Sequence, residues 1–281
     1  MEIPTGQARR RYDDLVAVAH EVVVGLDFDG TLSPIVDDPA RAVIHPDGPR
    51  TLGDLAGQVR AVAIITGRPA RQVVELGGLD AVADELPDDA RLLVMGQYGN
   101  ERWDSRTREF VSPEPPSGLT AFRDELPALL AENEAGDAYV EEKGLAVAVH
   151  TRRLPDPQVA VQRLEHALAG AAQRYGLALE PGRLVLEVRA PGMHKGRAVR
   201  TAVEENQGGG VLFAGDDLGD LEAFRAVRDL AEDGLPALLV CSASEEQAAL
   251  TELSDVVVDG PAGVLGLLAK FAADAGAGRA D

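Results

Sequence analysis

The chain has 281 residues, a formal net charge of −20 and one cysteine, Cys241. This charge argues against nucleic-acid and anionic-membrane partners, and a single cysteine excludes a disulfide within the chain. No apolar stretch reaches the length of a membrane span, and residues 1–11 lack the apolar core of a signal peptide, so we expect a cytoplasmic protein.

The N-terminal part of the chain alternates between predicted strands and helices. The elements are a strand over 22–28, a helix over 49–59, a strand over 61–65, a helix from 69 to 76 and a strand over 91–95. A βαβαβ pattern of this kind indicates a parallel sheet with right-handed crossovers.

A Pro-rich segment, 112–118, interrupts this pattern. Beyond it we predict an αββαβ block with a helix over 119–132, strands over 139–142 and 145–150, a helix over 158–175 and a strand over 184–188. The strand–helix alternation then resumes, with helices over 195–203, 221–226 and 264–272 and strands over 211–214, 237–240 and 255–258. The predicted fold is therefore α/β: a doubly wound, Rossmann-like parallel-sheet core (1–111 and 189–281) with a small inserted α+β domain (112–188).

The most specific motif is Asp27-Phe-Asp29-Gly-Thr31, directly after the first strand. The carboxyl edge of a parallel sheet is where ligands bind, and these four fixed positions arise by chance about once in 10⁵ windows. Paired carboxylates suit phosphoryl transfer, in which one attacks phosphorus and the other donates and accepts protons. The ordinary alternative is a strand that ends in an acidic Asp-Gly turn.

A second acidic cluster, Asp216, Asp217 and Asp220, follows the strand over 211–214. If both strands are adjacent, the two clusters face each other and offer the oxygen ligands of a Mg²⁺ site. The alternative is an acidic helix N-terminus that is favourable through the helix dipole.

Two further positions suit a phosphate. Thr66 and Gly67 end the second strand at a helix N-terminus, which is an anion site, although a helix cap is an equally ordinary role. Lys195 lies in a glycine-flanked turn that enters a helix, where its charge can span the nucleophile and the phosphate. The alternative for Lys195 is a surface lysine.

These four segments, in this order, resemble the motifs of the haloacid dehalogenase-like (HAD) phosphatase superfamily, and the insertion lies where that superfamily carries a sugar-phosphatase cap. The resemblance implies that Asp27 is the nucleophile and a metal ligand, and that Asp29 is the general acid/base with its carbonyl near the metal. It further implies that Thr66 and Lys195 hold phosphoryl oxygens. Asp216 would ligate Mg²⁺, and Asp217 and Asp220 would order the metal's waters and Lys195.

The inserted block carries Tyr-Val-Glu141-Glu-Lys143-Gly, Ala-Val-His150-Thr-Arg152 and Leu-Glu187-Val-Arg, and the core carries Gly-Gln-Tyr-Gly-Asn-Glu-Arg-Trp over 96–103. Together these resemble the trehalose-6-phosphate phosphatase family. The resemblance implies that Glu141, Lys143 and Glu187 contact sugar hydroxyls, and that Gly67, Arg68, His150 and Arg152 line the substrate site. The alternatives are a solvated strand face with an ion pair for Glu141 and Lys143, and a satisfied strand-end histidine for His150.

The chain departs from that family's pattern at a few positions. Gly219 and Leu221 replace a threonine and a glutamate in the second acidic cluster, Tyr98 replaces a histidine, and Thr151 stands where tyrosine is common. All three aspartates of the cluster remain, which leaves the metal chemistry intact.

The resemblance therefore implies a Mg²⁺-dependent phosphatase that cleaves trehalose 6-phosphate through an aspartyl-phosphate. One alternative is the same chemistry on another sugar phosphate, such as sucrose phosphate or mannosyl-phosphoglycerate. A non-enzymatic alternative is a sugar-phosphate sensor. The partner expected is a small-molecule sugar phosphate, with no nucleic acid and no membrane. The sequence does not indicate the oligomeric state, for which a monomer is the default expectation.

Overall fold

A computed structural model describes residues 6–36, 38–182, 184–243 and 248–278. The chain divides into two compact units, Met1–Ser112 with His194–Asp281, and Pro113–Met193. The insertion predicted over 112–188 ends before the second unit does, because the last strand of that unit continues to Arg189.

The secondary structure follows in chain order. The strands are β1 (Val22–Leu26), β2 (Ala61–Ile65), β3 (Leu92–Gly96), β4 (Glu101–Asp104), β5 (Phe110–Val111), β6 (Tyr139–Glu142), β7 (Ala146–His150), β8 (Ala178–Gly182), β9 (Val185–Arg189), β10 (Gly210–Gly215), β11 (Ala237–Ala243) and β12 (Val256–Asp259). The helices are α1 (Gln7–Ala17), α2 (Gly48–Ala56), α3 (Ala70–Gly77), α4 (Leu79–Asp84), α5 (Ser117–Glu132), α6 (Pro157–Arg174), α7 (Lys195–Glu205), α8 (Leu221–Glu232), α9 (Ala248–Leu253) and α10 (Gly260–Ala277).

The first unit is built on a sheet with the strand order β12-β11-β10-β1-β2-β3-β4-β5. The strands from β12 to β3 are parallel, and β4 and β5 add an antiparallel edge. This confirms the predicted doubly wound core.

Successive residues of β1 point to opposite faces of this sheet. Val22 and Val24 belong to one apolar cluster with Leu268 of α10, and Val23 belongs to another with Phe224 of α8. A strand covered on both faces is apolar throughout, and all five residues of β1 are buried. Helices cover both faces of the sheet, so the loops that follow β1, β2 and β10 lie at its carboxyl edge.

The second unit has an antiparallel sheet with the order β6-β7-β9-β8. Its apolar face packs against α5 and α6, with Val147, Val149 and Val188 among the buried residues. The predicted αββαβ pattern is wrong here because it omits β8. That strand ends in Pro181-Gly182, which is typical of a turn, and it lies at the sheet edge, where proline is tolerated.

The short strands β4 and β5 and the helix α1 were also not predicted. A four-residue and a two-residue strand are too short for a periodicity signal. Among the described residues, no helix combines the length and the apolar character that crossing a membrane requires.

Candidate active site

The loops after β1 and β10 bring the two acidic clusters together. The strands are adjacent and parallel with Leu26 opposite Ala214, and the Asp27 amide continues the ladder by donating to the Ala214 carbonyl at 2.9 Å. Carboxylate oxygens of Asp27, Asp216 and Asp220 lie within 4.8 Å of one another, and all three residues are buried. The predicted meeting of the two loops is thus confirmed.

Gly30 makes this close approach possible. Its φ is +75°, and a Cβ at this position would lie 2.0 Å from Oδ2 of Asp216. The Gly30 carbonyl in turn accepts a hydrogen bond of 2.7 Å from the buried Ser242 hydroxyl, near the end of β11. Three neighbouring strands, β1, β10 and β11, therefore fix the loop that carries Asp27 and Asp29.

Lys195 joins the two clusters. It begins α7 and is buried, and its Nζ lies 2.7 Å from Oδ1 of Asp27 and 2.7 Å from Oδ1 of Asp220. The short distances place a fixed positive charge beside the candidate nucleophile, as the sequence predicted for this lysine.

Asp220 is already held by several donors. Its Oδ2 accepts from the backbone amides of Asp216 at 2.9 Å and Asp217 at 3.3 Å, in addition to the contact of Oδ1 with Lys195. Asp217 is exposed, and its side chain caps the short helical turn over 218–220. These contacts suit Asp220 to orient Lys195 and the loop, and they leave the carboxylates of Asp27 and Asp216 as better candidates for direct metal ligands.

The electrostatics of the cluster are unbalanced. Burial, and then the charge of Asp220, raise the pKa of Asp27 well above its usual value, although Lys195 acts in the opposite direction. Burial, Asp217 and Asp220 raise the pKa of Asp216 to about 8. Burial by itself lowers the pKa of Lys195, but Asp220 and Asp27 outweigh it and hold that pKa well above its usual value. Several carboxylates around one lysine thus repel one another.

This donor set fits a divalent cation. Hard carboxylate oxygens from two loops, buried and mutually repelling, are the ligands that Mg²⁺ prefers in proteins. A cation at this position would offset the repulsion that raises the pKa of Asp27 and Asp216.

The loop after β2 supplies polar groups at the same sheet edge. Thr66 is buried, and its hydroxyl accepts a hydrogen bond of 3.2 Å from the Arg68 amide. A Cβ on Gly67 would lie 2.8 Å from the hydroxyl of Tyr98, so Gly67 allows this tyrosine to approach the loop.

Arg68 contacts a residue that the sequence did not connect with it. Its Nε donates to Oδ2 of Asp29 at 2.6 Å and its Nη2 donates to Oδ1 at 2.7 Å. The resemblance implied that Arg68 lines the substrate site, whereas the structure pairs it with the candidate general acid/base.

In the second unit, the face of the sheet opposite α5 and α6 carries charged side chains. Nζ of Lys143 lies 2.7 Å from Oε2 of Glu187, and Nη1 of Arg189 lies 2.8 Å from its Oε1. Burial alone would raise the pKa of Glu187, but Lys143 and then Arg189 lower it below its usual value. Two cations therefore keep this buried carboxylate charged.

The other predicted sugar contacts are more accessible. Oε2 of Glu141 lies 2.9 Å from Nε2 of His150, on the neighbouring strand, and both side chains are partly exposed. Arg152 is exposed in the turn after β7. The structure therefore brings Glu141 together with His150, and Lys143 together with Glu187, on one sheet.

Ser242 and Arg189 were missed as candidate site residues. Ser242 lies in a strand that is otherwise apolar, and no motif marks it. Arg189 follows Glu187 by two residues on β9, which places both side chains on the same face, and that spacing is a signal that the sequence offered.

The comparison with protein families agrees with these observations. A sequence model of the trehalose-phosphatase family matches residues 25–82 and 131–256. The matched ranges include the loops after β1, β2 and β10 and most of the second unit.

Individual relatives match over much of the chain. A probable trehalose-phosphate phosphatase of Sinorhizobium fredii is 34% identical over 211 residues, which cover 73% of each chain. The trehalose-phosphate phosphatase of Mycobacterium leprae is 29% identical over 244 residues, covering 81% of this chain and 52% of that one. The chain therefore spans about half the length of the M. leprae relative.

Solved structures share the fold at lower identity. The C-terminal domain of the trehalose-6-phosphate phosphatase of C. albicans has a TM-score of 0.74 at 20% identity, covering 97% of this chain and 98% of that one. The C-terminal domain of the trehalose synthase regulatory protein of Candida albicans has a TM-score of 0.69 at 15% identity, covering 97% and 100%. A haloacid dehalogenase-like hydrolase from Bacteroides thetaiotaomicron has a TM-score of 0.56 at 14% identity, covering 88% and 98%.

The parallel sheet, the inserted unit and these neighbours define the haloacid dehalogenase-like fold class with a cap domain. Within that class, the family is shown by two findings: the trehalose-phosphatase model matches more than half of the chain, and the S. fredii relative is 34% identical over 73% of it. The chain belongs to the trehalose-phosphatase family.

Proposed function

We propose that this protein is a Mg²⁺-dependent phosphatase that hydrolyses trehalose 6-phosphate to trehalose and phosphate. The observation that carries the proposal is the buried arrangement of Asp27, Lys195 and Asp216 in a chain of the trehalose-phosphatase family. This arrangement supports the proposal because the carboxylate proposed as the nucleophile, a lysine ammonium and a proposed metal ligand lie within one small volume.

In the first half-reaction, a carboxylate oxygen of Asp27 attacks phosphorus and the bond from phosphorus to the sugar oxygen breaks. Asp29 donates a proton to the departing sugar oxygen, so the products are an aspartyl-phosphate and neutral trehalose. We assign the holding of phosphoryl oxygens to Lys195, whose ammonium lies beside Asp27, and to the buried Thr66 that follows β2.

In the second half-reaction, water attacks phosphorus and the bond to the Asp27 carboxylate breaks. Asp29, now a carboxylate, takes a proton from that water, which restores both aspartates and releases inorganic phosphate. One residue thus acts as acid and then as base, and it needs a fixed geometry toward both oxygens.

The carboxylates of Asp27 and Asp216, with the carbonyl of Asp29, would hold Mg²⁺, which neutralises charge on the phosphoryl group when bound. Asp217 and Asp220 would order its waters. The surplus of carboxylates over lysine in this cluster supports the assignment.

The charged face of the second unit supports a sugar as the rest of the substrate. Glu141, Lys143 and Glu187 offer the acceptors and donors that vicinal hydroxyls require. Of the departures from the family pattern, Tyr98, Gly219 and Leu221 lie in the first unit, whereas Thr151 lies in the second, beside His150. Glu141, Lys143 and Glu187 themselves keep the pattern that the family resemblance implies.

The two alternatives make different demands on these sites. Another sugar phosphate would use the same first unit and would require a different pattern of hydroxyl contacts in the second. A sensor would bind without turnover, and the Candida albicans regulatory protein has this fold, so the fold alone does not separate the two. Asp27 and Asp29 favour the enzyme, because a sensor has no need for both a nucleophile and a proton carrier.

The test is phosphate release with and without Mg²⁺ from trehalose 6-phosphate, sucrose 6-phosphate and glucose 6-phosphate. The proposal predicts a kcat/KM for trehalose 6-phosphate at least about a hundredfold above the others, lost on chelation. Weak hydrolysis of all three would contradict the proposed substrate. Binding without release from any would favour the sensor.

We propose further that the protein acts in the cytoplasm and as a monomer. The proposed substrate, a small water-soluble sugar phosphate, supports the first. Fractionation of the native host, and sedimentation of the purified chain, would test these two statements.

A further inference from the structure

The bidentate ion pair between Arg68 and Asp29 stands apart from the Lys195 cluster. Both carboxylate oxygens of Asp29 accept from the guanidinium, at 2.6 and 2.7 Å. The Arg68 side chain is 12% exposed and that of Asp29 is 41% exposed. An arginine fork fixes the plane of a carboxylate as well as its distance, which a lysine does not.

Other groups hold Arg68 at both of its ends. Its backbone amide donates to the Thr66 hydroxyl at 3.2 Å, and its carbonyl accepts from the Gln97 amide at 2.9 Å. Its Nη1 donates to the Pro39 carbonyl at 2.9 Å, and the guanidinium lies 5.9 Å from the centroid of the Phe28 ring. These contacts hold the guanidinium of Arg68 in place independently of Asp29.

Asp29 has fewer constraints of its own. It lies on a loop between the buried Asp27 and Gly30, and its carboxylate is the most exposed of the candidate catalytic groups. A partly exposed carboxylate samples several rotamers unless a partner fixes it, and proton transfer requires a narrow range of geometries.

We propose that Arg68 is a positioning residue that orients the Asp29 carboxylate for proton transfer, and that it binds neither the phosphoryl group nor the sugar. The inference rests on the proposed function, because it assigns the proton transfers to Asp29. The bidentate pair occupies one site on each oxygen of Asp29. The remaining site on an oxygen can carry the proton that goes to the departing sugar oxygen and can later accept the proton of the attacking water.

Substrates with different leaving groups distinguish positioning of Asp29 from phosphate binding by Arg68. The alkoxide of trehalose needs a proton as it departs, whereas p-nitrophenolate departs without one. kcat/KM reports the steps up to formation of the aspartyl-phosphate, so it isolates the half-reaction in which this difference acts. A ligand of the phosphoryl group would serve both substrates equally.

The experiment compares R68A and R68K with the parent enzyme on trehalose 6-phosphate and p-nitrophenyl phosphate, with Mg²⁺ present. For R68A we expect kcat/KM to fall about 10²-fold on trehalose 6-phosphate and at least tenfold less on the aryl phosphate. R68K keeps the charge without the fork, and we expect an intermediate loss with the same leaving-group bias. Guanidinium chloride in the millimolar range should partly restore R68A on trehalose 6-phosphate.

The matched control is R71A. Arg71 lies in the first turn of α3, three residues after Arg68, and is exposed. Its guanidinium lies 4.1 Å from the centroid of the Phe110 ring. It should retain the parent's ratio of the two rates. Circular dichroism of each variant separates loss of fold from loss of positioning, and R68K is the informative variant if R68A does not fold.

Three results would overturn the inference. An equal loss on both substrates would make Arg68 a phosphoryl ligand, and a gain on trehalose 6-phosphate would make the pair a restraint on Asp29. Trehalose 6-phosphate that binds the double variant D27N/R68A more weakly than D27N, by a factor that matches the loss in turnover, would make Arg68 a sugar ligand. Failure of the proposed function itself would show in the parent enzyme, which would then release no phosphate from trehalose 6-phosphate.

Discussion

The two units hold their charged side chains in different ways. In the first unit the carboxylates lie on loops after parallel strands, and Asp27, Asp216 and Asp220 crowd around one lysine. In the second unit the charges lie on or directly beside antiparallel strands, and each carboxylate oxygen of Glu187 contacts one cation, Lys143 or Arg189.

The direction of the pKa shifts follows from this difference. Burial and like charges raise the pKa of Asp27 and Asp216. At Glu187, burial acts in the same direction, but Lys143 and Arg189 outweigh it and lower the pKa. The first site therefore needs an added cation to reach charge balance, and the second is balanced by its own side chains. An unbalanced site suits chemistry on a charged group, and a balanced one suits recognition of neutral hydroxyls.

Removing the nucleophile should have the largest effect. We expect D27N to lower kcat for trehalose 6-phosphate at least about 10⁴-fold, because an amide cannot form the acyl phosphate. Binding of the sugar phosphate, measured by calorimetry, should persist, since the second unit is unchanged. Turnover within tenfold of the parent would exclude a covalent intermediate on Asp27.

Filling the space beside Asp216 should break the first site without removing a functional group. In G30A the new Cβ would lie 2.0 Å from the Asp216 carboxylate, so the loop or that side chain must move. We expect a loss of about 10² in kcat/KM together with weaker Mg²⁺ activation.

The control for G30A is G78A. Gly78 also has a positive φ, +57°, but a Cβ there would meet nothing within 4 Å. Its substitution carries the backbone strain alone, roughly 1–2 kcal/mol of stability, and should leave catalysis intact. Equal activities for the two variants would mean that the close contact with Asp216 has no catalytic importance.

Neutralising Glu187 should disturb the balanced site. E187Q removes the buried negative charge that Lys143 and Arg189 share, and we expect the free energy of unfolding to fall by about 3 kcal/mol. KM for trehalose 6-phosphate should rise about tenfold, with little change on p-nitrophenyl phosphate.

The control for E187Q is E180Q. Glu180 lies 3.6 Å from Arg189 with a side chain that is 51% exposed, against 8% for Glu187. Exposed pairs contribute about 0–1 kcal/mol, so E180Q should be nearly neutral in denaturant unfolding. If E180Q lowered the free energy of unfolding as much as E187Q does, burial of Glu187 would not explain the importance of its ion pairs.

The last prediction is a pH dependence of stability in the metal-free protein. Burial and neighbouring carboxylates raise the pKa of Asp216 to about 8 in the folded state, so the folded state binds the proton more tightly than the unfolded state. Stability should therefore fall as pH rises from about 5 to about 8 in the presence of a chelator.

Thermal unfolding followed by circular dichroism measures this dependence. D216N should flatten it, and Mg²⁺ should reduce it by favouring the ionised carboxylates. A metal-free protein whose stability rises over the same pH range would contradict the account of an unbalanced cluster.

The sequence predicted the parts of the molecule that local pattern encodes. Apolar runs followed by Asp27, Thr66 and Asp216 predicted parallel strands with polar groups at one edge, and the structure confirms that arrangement. Strand β8 was not predicted because its Pro181-Gly182 end is typical of a turn. Proline is tolerated there because β8 is an edge strand, and only the strand order of the sheet shows that position.

Contacts between distant segments were the harder part of the site. Arg68 and Asp29 are 39 positions apart, and Ser242 and Gly30 are 212 apart. No periodicity relates such pairs, since they depend on the order of strands in the sheet. The roles of the site residues remain predictions, and their direct tests are the variants described above.

The central claim, that Asp27 accepts the phosphoryl group, can be tested by trapping the intermediate. The enzyme with Mg²⁺ would be mixed with trehalose 6-phosphate carrying a radiolabelled phosphoryl group, quenched in acid within milliseconds, and digested for peptide mapping. The account predicts an acid-stable, hydroxylamine-sensitive label on the peptide that contains Asp27, absent from D27N. Continued turnover with no label on any peptide would contradict it.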